Sequence, residues 1–98
     1  MLHLVTTIAV LDALPGGRIS QGDDIVLQGS AVSAARRGHR QNSVLTALVD
    51  DRCGLHAMAD RLQAFGIAPS AMLAGVAAID YDALVELTVK HPLIHTWA

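Results

Sequence analysis

Cysteine and excess charge are both scarce in this chain of 98 residues, and each scarcity excludes a class of protein. One cysteine, Cys53, cannot form an internal disulfide, so a disulfide-stapled secreted domain is excluded and a reducing compartment is indicated. Seven basic and nine acidic residues give a net charge of −2, whereas nucleic-acid-binding domains are usually strongly basic. We therefore expect no direct binding of nucleic acid.

Long apolar runs are also missing, although the chain as a whole is apolar. No run approaches the ~18 residues of a membrane-spanning helix, and the first residues carry no basic segment followed by an apolar core. Hydrophobic residues nevertheless make up 52% of the sequence. We expect a cytoplasmic protein without a membrane partner, a single domain over residues 1–98, and surplus apolar surface that an interface covers.

Short apolar runs alternate with helical patterns along the sequence. The runs Leu2–Val5, Asp24–Leu27, Leu55–Met58 and Val76–Ile79 predict four strands, and Leu93–Trp97 predicts a further extended element. Continuous apolar strands separated by helices are typical of a parallel sheet that is buried on both faces. The sequence therefore predicts an α/β fold, a single-domain three-layer sandwich with a mainly parallel sheet.

Helical patterns fill the segments between these strands. Pro15, followed by two glycines, would cut the first helix short, and Ser30 can cap the second. The predicted helices cover residues 8–14, 31–37, 44–49, 60–65 and 81–90.

The helix after the fourth strand has the clearest signals. Asp80 occupies its N-cap position, and Lys90 and His91 place positive charge in its last turn. Pro92 then stops it. Glu86 and Lys90 are spaced for an ion pair on the outer face.

Cys53 is the residue on which a catalytic hypothesis would rest. A sulfur carrier needs an accessible thiolate, which Arg52 beside it would favour. Cys53 nevertheless precedes the third strand, away from the carboxyl ends of the strands, where α/β folds build reactive sites. We interpret it as a small buried residue, with a sulfur-carrying thiol as the alternative.

No other residue pattern points to catalysis, a cofactor or a metal. The histidines show no metal-ligand spacing, and we interpret His3 and His56, on neighbouring strands, as packed and hydrogen-bonded. No glycine-rich phosphate fingerprint follows the first strand. Ser30 and the basic segment 36–40 form a candidate anion patch, although the solvated end of a helix is the simpler interpretation.

Four segments together resemble a known family. The chain opens on Leu2-His3 and closes with Ile79-Asp80-Tyr81, a helix and Trp97, and the segments 22–35 and 58–66 agree as well. In this order they resemble the TusB/DsrH family, the smallest subunit type of a bacterial sulfur-relay complex. The resemblance covers nearly the whole chain and implies the flavodoxin-like fold of the DsrE-like proteins.

The resemblance also implies a function and partners. It implies a non-catalytic structural subunit of a cytoplasmic sulfurtransferase complex that passes persulfide sulfur toward 2-thiolation of the wobble uridine of tRNA. The implied partners are TusC/DsrF-type and TusD/DsrE-type subunits in a heterohexamer, with a TusE/DsrC-type protein as transient acceptor. The persulfide cysteine of such complexes belongs mainly to the TusD/DsrE-type subunit. The tail residues Leu93, Ile94 and Trp97 are our candidate interface.

Other functions stay open at this point. One is a DsrH-type subunit serving dissimilatory sulfur oxidation, and another is a stand-alone DsrE-type thiol sulfurtransferase that uses Cys53. Members from sulfur-oxidising bacteria often carry a cysteine near the end of the first helix, whereas the segment Leu14–Arg18 has none. This difference favours tRNA thiolation over sulfur oxidation. A third alternative is an anion-binding module that uses Ser30 and the basic segment.

Overall fold

The computed structural model describes residues 1–16 and 19–97. This part of the chain contains five strands, three α-helices and three 3₁₀ helices. The strands are β1 (Leu2–Val5), β2 (Asp24–Leu27), β3 (Gly54–Met58), β4 (Val76–Ile79) and β5 (Ile94–Trp97). The α-helices are α1 (Asn42–Asp50), α2 (Ala59–Ala64) and α3 (Tyr81–Lys90), and the 3₁₀ helices are Ile8–Gly16, Gly29–Ala35 and Pro69–Ala71.

The strands form one sheet in the order β4-β3-β2-β1-β5, and each of these pairings is parallel. The chain adds β1 to β4 side by side in one direction, then crosses back to place β5 on the other side of β1. Because parallel crossovers are right-handed, the first three connections share one face and α3 lies on the other. The predicted α/β sandwich with a parallel sheet is confirmed. Its strand order reverses only at the last crossover, unlike the flavodoxin order 2-1-3-4-5.

Successive side chains of a strand point to opposite faces of the sheet, and the apolar ones form two hydrophobic cores of unequal size. The larger core lies under the first three crossovers and takes Val5, Ile25 and Leu27 from the sheet, with Trp97 packed at its border. The smaller core lies under α3 and consists of Leu2, Val26 and Met58, against which Leu84 and Leu87 of α3 pack while staying partly exposed. One face of the sheet is therefore well covered, and the other is covered by a single helix.

The two helices that precede α1 differ from the prediction. Both are 3₁₀ helices, and the first runs through Pro15 to Gly16; Gly17 lies outside the described residues. Ser30 is not a cap, since Gln28 holds the N-cap position and the Ser30 hydroxyl accepts a hydrogen bond from the Ile8 amide at 3.0 Å. The capping prediction was wrong because this hydroxyl joins two crossovers instead.

The helix α3 begins and ends as its sequence signals predicted. The Asp80 carboxylate accepts a hydrogen bond from the Ala83 amide at 2.9 Å, and the helix ends at Lys90, before Pro92. The predicted ion pair between Glu86 and Lys90 was wrong. Lys90 Nζ instead lies 3.1 Å from a carboxylate of the sheet, that of Asp24.

Candidate functional site

Asp24 is the centre of a polar cluster at the amino edge of the sheet. Its Oδ1 accepts a hydrogen bond from His56 Nε2 at 2.9 Å, and its Oδ2 accepts one from His91 Nε2 at 2.6 Å and one from Lys90 Nζ at 3.1 Å. Asp24 and His91 are buried, whereas Lys90 is exposed to solvent. One carboxylate thus joins β2, β3 and the end of α3.

Local structure explains how these groups meet. Asp24 begins β2 beside Gly54, which begins β3, and a Cβ atom at Gly54 would overlap the Asp24 carboxylate. The glycine therefore leaves room for the buried carboxyl group, while His56 reaches it from two residues farther along β3. Pro92 ends α3 so that His91 leaves the helix over the same edge.

The cluster holds the pKa of Asp24 well below its ordinary value. Burial alone would raise this pKa, but the hydrogen bonds from His56, His91 and Lys90 favour the ionised form and outweigh the burial. The Asp24 carboxylate is therefore charged at neutral pH. Because an ionised carboxylate can only accept, each imidazole donates through its Nε2 proton.

Asp23 forms a second cluster on the neighbouring side of the same edge. Its Oδ2 accepts hydrogen bonds from His3 Nε2 at 2.9 Å and from the Ser20 amide at 3.0 Å, and its Oδ1 contacts the Met1 amino group at 2.9 Å. Trp97 Nε1 donates to His3 Nδ1 at 3.0 Å. Because an indole can only donate, His3 carries its proton on Nε2, and both of its ring nitrogens are satisfied although the ring is fully buried.

Acid should destabilise the protein through these two carboxylates. Burial raises the pKa of Asp23, but the Met1 amino group, His3 and the Ser20 amide outweigh it and lower this pKa to about 2. A carboxyl group whose pKa falls on folding stabilises the native state above its unfolded pKa of about 4 and loses this contribution as the pH approaches the folded value. We expect the free energy of unfolding to fall as the pH drops from about 4 to 2, measured by urea titration. An Asp23→Asn variant should show a shallower fall, and an equal slope would contradict the assignment.

Cys53 lies at the same amino edge, in surroundings that disfavour a thiolate. The residue is 7% exposed, and its Sγ donates to the Ser20 carbonyl at 3.5 Å. Burial raises the pKa of the thiol, and the charges of nearby Asp23, Asp51 and Asp24 raise it further. The thiolate that we expected Arg52 to favour is therefore disfavoured, first by burial and then by the surrounding carboxylates.

The carboxyl edge of the sheet, where α/β folds usually bind ligands, carries a polar cleft of about 280 Å³. Tyr81 Oη donates to Asp60 Oδ2 at 3.0 Å across one side of it, and this bond raises the pKa of the Tyr81 phenol. Gly29 lines the opposite side at a φ of +52°, where a Cβ atom would overlap the Thr6 carbonyl. None of the described lining residues is a cysteine or histidine: Thr6, Gln28, Gly29, Met58, Asp60, Arg61 and Tyr81.

The candidate anion patch does not converge on a common point. Arg36 donates to the Phe65 carbonyl at 3.2 Å, Arg37 donates to the Ser70 carbonyl, and Arg40 lies 3.8 Å from Asp12. Ser30 is engaged by the Ile8 amide. These side chains tie the crossovers to one another, so the patch is better explained as part of the fold.

The tail residues that we named as a candidate interface fall into two environments. Leu93 and Ile94 are 61% and 49% exposed. Trp97 is partly buried against the larger core of its own sheet and meets His95 edge-on, with ring centroids 4.7 Å apart. Within residues 1–16 and 19–97, no helix is long and apolar enough to cross a membrane.

The sequence interpretation missed the two carboxylate clusters. His3 and His56 were predicted to be packed and hydrogen-bonded, which is confirmed, but their acceptors were not predicted: Asp24 was interpreted only as the first residue of a strand and Asp23 only as the entry to it. The available signal was the pair of acidic residues at the start of a strand that is otherwise apolar and buried on both faces. Carboxylates in that position need buried donors, and histidines on neighbouring strands can supply them.

Comparisons with known proteins agree with this architecture. The crystal structure of the ychN protein from E. coli matches with a TM-score of 0.79 at 17% identity, covering 98% of this chain and 97% of that one. A protein of unknown function from Methanobacterium thermoautotrophicum, MTH1491, matches with a TM-score of 0.73 at 16% identity, covering 98% and 96%. A comparison with curated proteins gives no match. The family model described as DsrH like protein matches residues 15–93. This chain therefore belongs to the DsrH-like family of sulfur-relay subunits.

Proposed function

We propose that this chain is a structural, non-catalytic subunit of a cytoplasmic sulfurtransferase complex that relays persulfide sulfur toward 2-thiolation of the wobble uridine in tRNA. Its partners in this proposal are a TusC/DsrF-type and a TusD/DsrE-type chain in a heterohexamer, and the acceptor is of the TusE/DsrC type. The persulfide is carried by the TusD/DsrE-type chain. Family membership supports the sulfur-relay part of this proposal.

The position of Cys53 is the observation that carries the non-catalytic role. A sulfur carrier must attack a donor as a thiolate and then present its sulfur to an acceptor. Cys53 is buried at the amino edge of the sheet among three carboxylates that raise its pKa. Both requirements, ionisation and access, are opposed at this position. The chain has no second cysteine that could take the role.

The cleft at the carboxyl edge of the sheet, opposite the edge that holds Cys53, also supports a non-catalytic role. Transfer of sulfur at this edge would require a nucleophile there, and the described lining residues offer a phenol, a carboxylate, a guanidinium and amide or hydroxyl groups. The phenol is engaged by Asp60, and its pKa is raised. Such a surface suits the shaping of a partner's active cleft better than chemistry of its own.

The choice of tRNA thiolation over sulfur oxidation rests on the first crossover. Family members from sulfur oxidisers often carry a cysteine near the end of the first helix, and the corresponding segment Leu14–Arg18 contains none. A chain without that thiol has nothing in this segment with which to hold sulfur. We therefore place it in the tRNA branch.

Replacing the thiol tests the proposal directly. We expect Cys53→Ser to leave sulfur transfer by the complex, reconstituted with its two partner chains, within about twofold of the wild type. The serine hydroxyl can keep the contact with the Ser20 carbonyl, so only a small loss of packing is expected. The measurement is the rate at which labelled persulfide sulfur reaches the acceptor protein.

Two controls make the result decisive. Cys53→Ala separates loss of the hydrogen bond from loss of the thiol, and size-exclusion chromatography shows whether each variant still assembles. Mass spectrometry after treatment with a persulfide donor reports on Cys53 itself. A large drop in transfer with the assembly intact, or a stable persulfide on Cys53, would instead favour a thiol sulfurtransferase that uses this residue.

A further inference from the structure

The helix α3 is held to the sheet less firmly than the other two α-helices are. All ten of its residues are described, and none is buried. By contrast, α1 buries Leu45 and Leu48, and the shorter α2 buries Leu62. Within the described residues, three buried side chains form the core under α3, whereas sixteen form the core on the opposite face. Removing α3 from the sheet would therefore forfeit only a small part of the apolar burial of the protein.

Polar contacts hold α3 at both of its ends. At the C-terminal end, the buried Asp24 carboxylate accepts from His91 Nε2 at 2.6 Å and from Lys90 Nζ at 3.1 Å, and we call these two contacts the α3 latch. At the N-terminal end, Tyr81 Oη donates to Asp60 Oδ2 at 3.0 Å, and both residues are exposed. Hydrogen bonds to a buried carboxylate are worth more than those between exposed groups, so the latch is the firmer attachment.

The connections on either side of α3 let it detach without breaking the sheet. The strands β4 and β5, which it joins, lie at opposite ends of the strand order, about 20–25 Å apart across four strand spacings. Residues 80–93 link these strands, and a segment of that length reaches up to about 45 Å when extended. Both strands can therefore stay paired with their neighbours while the helix unfolds between them.

We propose that α3 is a strap that detaches from the sheet as a unit while the remaining fold stays intact, and that the α3 latch sets how often it does so. Segments with few buried apolar contacts open locally at a lower free energy than the whole domain unfolds. Detachment carries Tyr81 away from Asp60, which removes one side of the polar cleft at the carboxyl edge, and it uncovers Leu2, Val26 and Met58 of the smaller core. Access to this cleft thus depends on contacts at the opposite edge of the sheet.

Native-state hydrogen exchange of the full chain, followed by NMR at low urea concentrations, tests the detachment. Exchange through a local opening depends less on urea than exchange through global unfolding, because it exposes less surface. We expect the amides of residues 84–90 to be at least about tenfold less protected than those of Val26 and Leu27 in β2, and to depend less on urea. Equal protection and equal urea dependence would show that α3 opens only with the whole chain, and would overturn this inference.

Substitutions at the two ends of α3 test the latch. We expect His91→Ala to speed exchange of the α3 amides at least about tenfold, because the contact with Asp24 is lost. His91→Gln can still donate to this carboxylate and should restore part of the protection. Tyr81→Phe removes the exposed hydrogen bond at the other end and should change α3 exchange less than about threefold. Unchanged α3 exchange in His91→Ala, or a larger effect of Tyr81→Phe, would contradict the role of the latch.

A variant in the larger core is the matched control. Ile67→Val removes one buried methylene group on the face of the sheet opposite α3. It should speed exchange of the β2 amides about two- to tenfold, while α3 exchange stays within about twofold of the wild type. His91→Ala should instead speed both, since its contact is lost in the local and in the global opening. If Ile67→Val speeds exchange in β2 and α3 by the same factor, α3 unfolds only together with the core and is not a strap.

Discussion

Replacing Asp24 by alanine should reduce the free energy of unfolding by about 3 kcal/mol, the largest effect that we expect from a single polar side chain in this protein. The substitution leaves His56 and His91 without the carboxylate that accepts their hydrogen bonds, and His91 is buried. Lys90 can turn to water, so it adds little to the cost. Urea unfolding followed by circular dichroism at pH 7 measures the change.

A second acidic residue provides the control. Asp50 is exposed on α1, and Asp50→Ala should change stability by no more than about 0.5 kcal/mol. Asp24→Asn preserves the shape of the side chain but turns an amide donor toward the His56, His91 and Lys90 donors, so it should also be strongly destabilising. If Asp24→Ala costs no more than Asp50→Ala, the cluster is not a major source of stability.

A double-mutant cycle measures the coupling between Asp24 and its nearest partner in the cluster. Asp24 and His91 share the shortest contact of the cluster, 2.6 Å, and join β2 to the end of α3. Because each variant removes the same contact, the costs of Asp24→Ala and His91→Ala should not add, and we expect a coupling of at least about 1 kcal/mol. Additive costs would show that the two residues stabilise the fold independently.

Apolar runs made the sheet predictable from the sequence. The segments Leu2–Val5, Asp24–Leu27 and Val76–Ile79 were predicted with the bounds that the structure has, because each is a short, mostly apolar run that is followed directly by a polar residue. The helix α3 was equally clear, since the Asp80 cap and Pro92 mark its ends locally. Signals of this kind lie within a few residues of what they determine, so the sequence displays them directly.

The candidate site could not be predicted in the same way, because its contacts join distant parts of the chain. Asp24 meets His91 across 67 positions, and His3 meets Trp97 across 94. No local sequence pattern around Asp24 or His3 indicates which distant side chain will donate a hydrogen bond to it. Ser30 illustrates the opposite error: its local pattern fits a cap, but the amide of Ile8, in another crossover, takes the hydroxyl. Tertiary contacts decide such polar pairings.

Trp97 makes one of these long-range contacts. Among the apolar residues of the tail, we expect its replacement to destabilise the protein most. Its ring packs at the border of the larger core, its Nε1 donates to His3 Nδ1, and its carbonyl accepts from the Thr6 amide at 3.1 Å. Trp97→Ala removes the ring and leaves a buried imidazole nitrogen unpaired. Both losses should lower the free energy of unfolding, together by about 3–5 kcal/mol.

Trp97→Phe separates the two contributions, because phenylalanine fills most of the space but cannot donate to His3. We expect Trp97→Phe to lower the free energy of unfolding by about 1–2 kcal/mol, because one buried His3 nitrogen is left unpaired. This loss is clearly smaller than the one expected for Trp97→Ala. The exposed neighbour Ile94 is the control, and Ile94→Ala should have a small effect on the isolated chain. As the only tryptophan, Trp97 also reports on itself by fluorescence. An emission maximum typical of fully hydrated indole, or equal costs for the Trp97→Ala and Trp97→Phe variants, would contradict the packing of this ring against its own sheet.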